Sequence, residues 1–219
     1  MAADKKTYLW PLAQELAKVW PDNRTVNLVF HGHSIPSGYT ANHMIRPFDA
    51  YPHLIHRALH QRFPCAVMNC IVTAIGGEGA VSGSRRFQDE ALCHRPDLII
   101  IDYARNDRFA PRERVEAGWR AMLELAAQRG MPVLLVTPLP DCGRVYWDPA
   151  QLVTPLEWIL DMIRRLADEY AVGLADAAAA FADLERRGAQ ASDFLLSVNH
   201  PNREGHMLVV RELLRWFPL

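Results

Sequence analysis

The chain has 219 residues, of which 50% are hydrophobic and 22% are charged, a composition typical of a folded globular protein rather than a disordered segment. Its formal net charge of -1 gives no overall electrostatic attraction for nucleic acid or for an anionic membrane surface. We therefore predict a single domain over residues 1–219 whose partner is a small molecule.

The N-terminal stretch lacks the continuous apolar run and the small-residue cleavage site of a secretory signal. No later stretch has the length of a membrane-spanning helix. The cysteines show no Cys-x-x-Cys spacing, which disfavours a zinc site or a disulfide framework. We expect a cytoplasmic protein with four buried thiols, at Cys65, Cys70, Cys93 and Cys142.

Short apolar runs rich in β-branched residues alternate with longer segments of helical periodicity. This alternation predicts an α/β fold, with a parallel sheet covered by helices on both faces. In chain order the predicted elements are a helix at Thr7–Val19, a strand at Thr25–Phe30, a helix at Asp49–Arg62, a strand at Ala66–Val72, a helix at Ser84–His94, a strand at Leu98–Asp102, a helix at Pro111–Arg129, a strand at Val133–Thr137, a helix at Pro155–Tyr170, a strand at Val172–Asp176, and helices at Ala177–Arg187 and Arg203–Trp216.

Open parallel sheets bind ligands beyond the carboxyl ends of their strands, so the loops after the strands are where chemistry is expected. The first of these loops contains Gly32 and Ser34. A sharp turn there would expose the serine hydroxyl, which can attack an acyl carbon. The alternative is a serine that only caps a helix.

Two further loops carry groups that can hold negative charge on an oxygen atom. After the second strand, Gly77 lies in a glycine-rich turn that can point a backbone N–H at an oxyanion. After the third strand, Asn106 can donate from its side-chain amide. A plain glycine turn and a local Asn-Asp turn are the alternatives for the two loops.

A candidate base lies near the C-terminus, just before the last predicted helix. His200 is followed by Pro201, and the ordinary pKa of a histidine, near 6.5, suits it to accept and return a proton. A solvated loop histidine without a role is the alternative. His206 is interpreted as a helix residue that faces the rim of the site or packs in the core.

The four segments, in this order, resemble the four conserved blocks of the SGNH hydrolase superfamily, also called GDSL-type esterases and lipases. The resemblance implies a flavodoxin-like, three-layer α/β/α sandwich with a five-stranded parallel sheet of order 2-1-3-4-5. It also implies ester hydrolysis through an acyl-enzyme, with Ser34 as nucleophile, Gly77 and Asn106 as oxyanion donors and His200 as base. We expect neither a cofactor nor a metal ion.

The chain departs from the family pattern at three positions. His33 replaces the usual Asp before the nucleophile, and Ala104 replaces a common Gly before Asn106. Ser197 stands three residues before His200, where the family has the third triad residue, an Asp. We expect a backbone carbonyl or the Ser197 hydroxyl to orient His200, with the carboxylate of Asp193 as the alternative.

Two other functions are compatible with these residues. A metal-dependent phosphoesterase would use a histidine and aspartate cluster, although the strand ends carry few carboxylates for a hard metal ion. A non-catalytic carbohydrate-binding relative would use exposed aromatic side chains. The candidate ligands are His31, His33, Asp102, Asp107, His200 and His206, and the candidate aromatics are Tyr39, Tyr146 and Trp147.

The expected substrate follows from the polar residues near the predicted site. Arginine, histidine and tyrosine side chains are available to line a polar pocket, and no long apolar insertion is evident. We therefore predict short-chain esters, acetyl above all, of carbohydrate-like alcohols. The predicted pocket residues are Arg46, Arg105, Arg108, His31 and Tyr39.

Overall fold

The computed structural model describes residues 3–40, 44–141, 149–197 and 199–218 and contains a five-stranded, all-parallel sheet. The order β2-β1-β3-β4-β5 and the flanking helices confirm the predicted α/β fold. The strands are β1 (Thr25–Gly32), β2 (Val67–Val72), β3 (Leu98–Asp102), β4 (Val133–Val136) and β5 (Gly173–Ala175).

Helices cover both faces of the sheet. They are α1 (Trp10–Leu16), α2 (Ser34–Ser37), α3 (Tyr51–Arg62), α4 (Ala80–Arg86), α5 (Arg112–Gln128), α6 (Leu156–Glu169), α7 (Ala177–Arg186) and α8 (Arg203–Leu214). Single turns of 3-10 helix occur at Pro47–Asp49, Leu92–His94, Asn106–Phe109, Pro149–Gln151 and Ala191–Asp193, and a π-helical turn at Phe87–Ala91.

The core has two parts, one on each face of the sheet. Phe30 and Ile100 point to the face that α1, α3, α7 and α8 cover. Val29 and Ile101 point to the opposite face, which is covered by α4, α5 and α6. Strands that are buried on both sides read as continuous apolar runs, which is why the buried strand β3 matches its predicted bounds.

The helix predicted at Ser84–His94 is wrong in its start and in its regularity. Helix α4 begins at Ala80, because the Asp107 carboxylate accepts a hydrogen bond of 2.6 Å from the Ala80 N–H. After α4 the chain continues as the π-helical turn and then as a 3-10 turn. The contact that starts α4 joins residues 27 apart, so the local pattern does not contain it.

The prediction of four buried cysteines is also wrong. Cys65 lies in the turn before β2 and Cys93 in the last turn before β3, and both are exposed. Cys70 is partly buried, and Cys142 lies outside the described residues. Within the described part of the chain, no helix combines the length and the apolar character needed to cross a membrane.

Candidate active site

The loops after the strands lie at the carboxyl edge of the sheet, where β1 and β3 end side by side. Gly32 pairs with Asp102 at the end of both strands. A Cβ atom at Gly32 would lie 2.3 Å from the Asp102 backbone oxygen, so this contact requires glycine. The close approach places His33 and Ser34 beside Asp102.

Ser34 is the first residue of α2, and its hydroxyl contacts the imidazole of His200. Ser34 Oγ lies 3.1 Å from His200 Nε2, although the two residues are 166 positions apart. The capping residue of α2 is His33 rather than Ser34, because the His33 Nδ1 accepts the Ile35 N–H at 3.3 Å. The Ser34 hydroxyl is therefore not used as a helix cap.

The loop before α8 holds His200 in place. The Leu196 N–H donates to the His200 carbonyl at 2.8 Å, and Leu195 bridges Pro201 in antiparallel fashion. Asn202 then caps α8 by accepting the Gly205 N–H at 3.0 Å. The imidazole thus projects from a loop that is fixed on both sides.

Ser197 contacts the second ring nitrogen of His200, where a triad Asp would be expected. Ser197 Oγ lies 3.4 Å from His200 Nδ1. The Asp193 carboxylate instead accepts the Gln190 N–H at 3.0 Å and closes its own turn. Of the two candidates from the sequence, Ser197 is the one that contacts His200.

The surroundings of His200 favour its neutral form. Burial lowers the pKa of His200 to about 4, and the neighbouring His33 and Arg105 act in the same direction. A neutral imidazole near pH 7 has a lone pair available to accept a proton. At neutral pH, His200 is therefore in the form that can accept a proton.

Three hydrogen-bond donors are available at this edge for an oxyanion. Gly77 adopts a left-handed backbone conformation with φ of 78°. Among the described residues, neither the Ser34 N–H nor the Gly77 N–H donates a hydrogen bond. The Asn106 Nδ2 donates to the Glu78 carbonyl at 3.0 Å, which orients the amide and leaves its second hydrogen for a ligand.

Glu78 anchors the loop that carries Gly77. Its side chain is 8% exposed and forms a salt bridge with Arg86. The Tyr103 hydroxyl also donates to the Glu78 carboxylate at 2.9 Å. These contacts tie the second loop to α4 and β3, and so hold Gly77 and Asn106 next to each other.

The sequence singled out several polar residues that form separate contacts elsewhere in the structure. His31 contacts the Thr73 hydroxyl at 2.8 Å and the Gly83 carbonyl at 3.1 Å. Asp107 accepts from Ala80 and from the Trp119 indole, and the His206 ring accepts the Tyr51 N–H at 3.3 Å. In the described ranges, no three His, Cys, Asp or Glu side chains are grouped to hold a metal ion.

His33 and Asp102, which the sequence indicated only as candidate metal ligands, contact each other in the structure. His33 Nε2 lies 3.3 Å from Asp102 Oδ1, and both side chains are buried. The Tyr51 hydroxyl donates to the other carboxylate oxygen at 3.2 Å. The pairing of Gly32 with Asp102 is the signal for this contact, and it is visible only once the strand register is known.

A cavity of about 360 Å³ lies between the loop after β1 and the loop before α8, the two loops that also carry Ser34 and His200. Tyr39 and Arg46 line it, as expected. The expectation is wrong for His31, which is fully buried, and Arg105, which is 3% exposed and forms a salt bridge with Asp141. Arg108 also pairs with Asp141, and Tyr146 and Trp147 lie outside the described residues.

Comparison with known proteins gives a family match and structural neighbours. Residues 30–208 match the model of the GDSL-like lipase/acylhydrolase family. Among the curated proteins, no sequence matches.

Several of the structural neighbours are acetylxylan esterases. One is an enzyme from Geobacillus stearothermophilus, with a TM-score of 0.72, 19% identity and coverage of 89% of this chain and 94% of that chain. Another is the acetyl xylan esterase AlAXEase, with a TM-score of 0.68, 18% identity and coverage of 86% and 98%. Further structures of the Geobacillus enzyme are described as catalytic mutants, one at a histidine and one at an aspartate three positions earlier. At these identities the likeness shows a shared fold.

Proposed function

Because the chain belongs to the GDSL-like lipase/acylhydrolase family and is a carboxylic ester hydrolase, we propose that it acts through an acyl-enzyme on Ser34. The observation that carries this proposal is the 3.1 Å contact between Ser34 Oγ and His200 Nε2. A nucleophile and a base within hydrogen-bond reach are the signature of covalent catalysis.

In the proposed acylation, His200 Nε2 accepts the Ser34 proton while Oγ attacks the ester carbonyl. The resulting oxyanion accepts hydrogen bonds from the Ser34 and Gly77 N–H groups and from the Asn106 amide. His200 then gives its proton to the oxygen of the leaving alcohol. Water attacks the acyl-enzyme with His200 again as base, which releases the acid and restores Ser34.

We propose short-chain esters, above all acetyl esters of carbohydrate-like alcohols, as the substrates. Arg46, Asp49 and Arg203 line the neighbouring cavity, and their charged groups can bind the hydroxyl groups of such an alcohol. The structural neighbours named as acetylxylan esterases support the same substrate class. The catalytic histidine of the Geobacillus enzyme follows its catalytic aspartate by three positions, the spacing between Ser197 and His200 in this chain.

Reaction with a fluorophosphonate tests the nucleophile directly. The reagent forms a stable phosphonate ester with an activated serine, and peptide mass mapping then locates the adduct. We expect one adduct per chain, on Ser34, and none after denaturation. An adduct on another serine, or no adduct at all, would contradict the proposed function.

The pH dependence of kcat/KM follows from the low pKa of His200. Only the neutral imidazole can accept the Ser34 proton, so kcat/KM should rise with pH through about 4 and stay level across neutrality. The kcat/KM profile reports on the free enzyme, in which burial is the main cause of the low pKa of His200.

Ser197→Asp should move this profile, because a carboxylate beside Nδ1 favours the imidazolium and raises the pKa of His200. We expect the acid limb to shift to higher pH by about 1 to 3 units, the range for a neighbouring opposite charge. The matched control is Ser197→Asn, which has similar size and no charge. An acid limb that moves equally in both variants would exclude the carboxylate as the cause.

A further inference from the structure

The Ser34 hydroxyl lies between two imidazoles. His200 Nε2 is 3.1 Å from Ser34 Oγ, and on another side His33 Nδ1 is 3.4 Å from the same atom. His33 is fully buried, whereas His200 is only partly buried. Two ring nitrogens are therefore within reach of one serine proton.

The partners of His33 determine where its own proton resides. His33 Nδ1 accepts the Ile35 N–H at 3.3 Å, so that nitrogen is unprotonated, and on taking the Ser34 proton it gives up this hydrogen bond. In the neutral ring the proton is then on Nε2, which faces Asp102 Oδ1 at 3.3 Å. Both atoms are buried, and neither forms a hydrogen bond of standard geometry within the described residues, so the 3.3 Å ion-pair contact is the polar interaction between them.

The carboxylate of this site thus contacts His33 rather than His200. Asp102 is 2% exposed, and the Tyr51 hydroxyl holds its second oxygen at 3.2 Å. The Nδ1 of His200, in contrast, contacts the Ser197 hydroxyl. A carboxylate on one ring nitrogen and a serine on the other is the arrangement that aligns a base and stabilises its imidazolium.

We propose that His33, aligned by Asp102, is a second base for Ser34 and can take its proton during acylation. The inference rests on the proposed esterase function. In this step the Ser34 O–H bond breaks, a bond forms between the proton and His33 Nδ1, and Oγ bonds to the acyl carbon. The electron pair of the carbonyl moves to its oxygen, and Asp102 stabilises the imidazolium.

The burial of His33 restricts it to this half of the reaction. Deacylation requires a base that touches the attacking water, and a ring with no exposed surface cannot do so. His200, which is partly exposed, is the base for that step. For an ester whose leaving group departs without a proton, loss of His200 should therefore leave acylation in place and stop turnover at the acyl-enzyme.

Fluorophosphonate labelling of His200→Ala tests the proposal, because the fluoride that leaves needs no proton. We expect Ser34 in this variant to be labelled about 100-fold faster than in the double variant His200→Ala with His33→Asn, within the usual contribution of a general base. Asparagine at position 33 can still accept the Ile35 N–H and cap α2, but it cannot take a proton. Equal labelling rates in the two variants would overturn the proposal.

Two further measurements test the role of Asp102 and the acylation step in the His200→Ala variant. In the His200→Ala background, Asp102→Asn should slow labelling as His33→Asn does, because it removes the charge that stabilises the imidazolium. With p-nitrophenyl acetate, His200→Ala should release about one equivalent of p-nitrophenolate in a burst and then turn over slowly. If His200→Ala gave no burst, His33 would not act as a second base. If the wild-type enzyme were not labelled by the fluorophosphonate, the proposed function itself would be contradicted.

Discussion

Replacing Ser34 by alanine is expected to lower kcat/KM for a p-nitrophenyl acetyl ester by a factor of about 10⁴ to 10⁶, as loss of a triad nucleophile does elsewhere. The hydroxyl contacts both His200 Nε2 and His33 Nδ1, so its removal takes away the only atom that these bases share. Steady-state kinetics with purified protein measure the effect, and the variant should also give no burst.

The matched control for this loss is Ser82→Ala. Ser82 lies in α4, and its exposed hydroxyl bonds only locally, to the Gly79 carbonyl at 3.1 Å. We expect this variant to keep the activity and the thermal unfolding temperature of the wild type. If Ser34→Ala retained the same activity as Ser82→Ala, Ser34 would not be the nucleophile.

Asn106→Ala should lower kcat by about 10² to 10³ with little change in KM, the loss that follows removal of one oxyanion donor. The side chain is oriented by the Glu78 carbonyl at 3.0 Å, and its second amide hydrogen is available to the developing charge. Because that charge exists in the transition state and not in the bound ester, the effect should fall on kcat. Steady-state kinetics that determine kcat and KM separately for a p-nitrophenyl acetyl ester measure the effect.

Asn23→Ala is the matched control for the amide. Asn23 Nδ2 donates to the Cys65 carbonyl at 2.8 Å, the same kind of bond, before β1 and so at the opposite edge of the sheet. Its loss should affect stability slightly and leave kcat unchanged. A comparable fall in kcat for the two variants would show that a lost hydrogen bond, and not an oxyanion donor, is responsible.

Much of the fold could be predicted because its main signals are local. The buried strand β3 has the bounds that its apolar run predicted, and α5 differs from the prediction by one residue at each end. The start of α4 could not be predicted in this way, because it depends on the Asp107 carboxylate, which arrives from a loop after the next strand. Local periodicity contains no information about such a partner.

The candidate site likewise has features that the sequence predicts and features that depend on the tertiary structure. The sequence placed Ser34, Asn106 and His200 in loops at strand ends or before the last helix, and the structure brings Ser34 and His200 within 3.1 Å. The sequence left three groups that could orient His200: a backbone carbonyl, the Ser197 hydroxyl and the Asp193 carboxylate. Ser197 Oγ lies 3.4 Å from His200 Nδ1, whereas the Asp193 carboxylate accepts the Gln190 N–H in a local turn.

The alternation of strands and helices and the residue types at the strand ends can be predicted from the amino-acid sequence, because both follow from short-range patterns along the chain. Which of those groups contact each other depends on the folded chain. The register of β1 against β3 sets Gly32 opposite Asp102, and this places a buried carboxylate against His33 rather than His200. Strand register depends on packing across the whole sheet, and so the position of the site's carboxylate is a property of the fold.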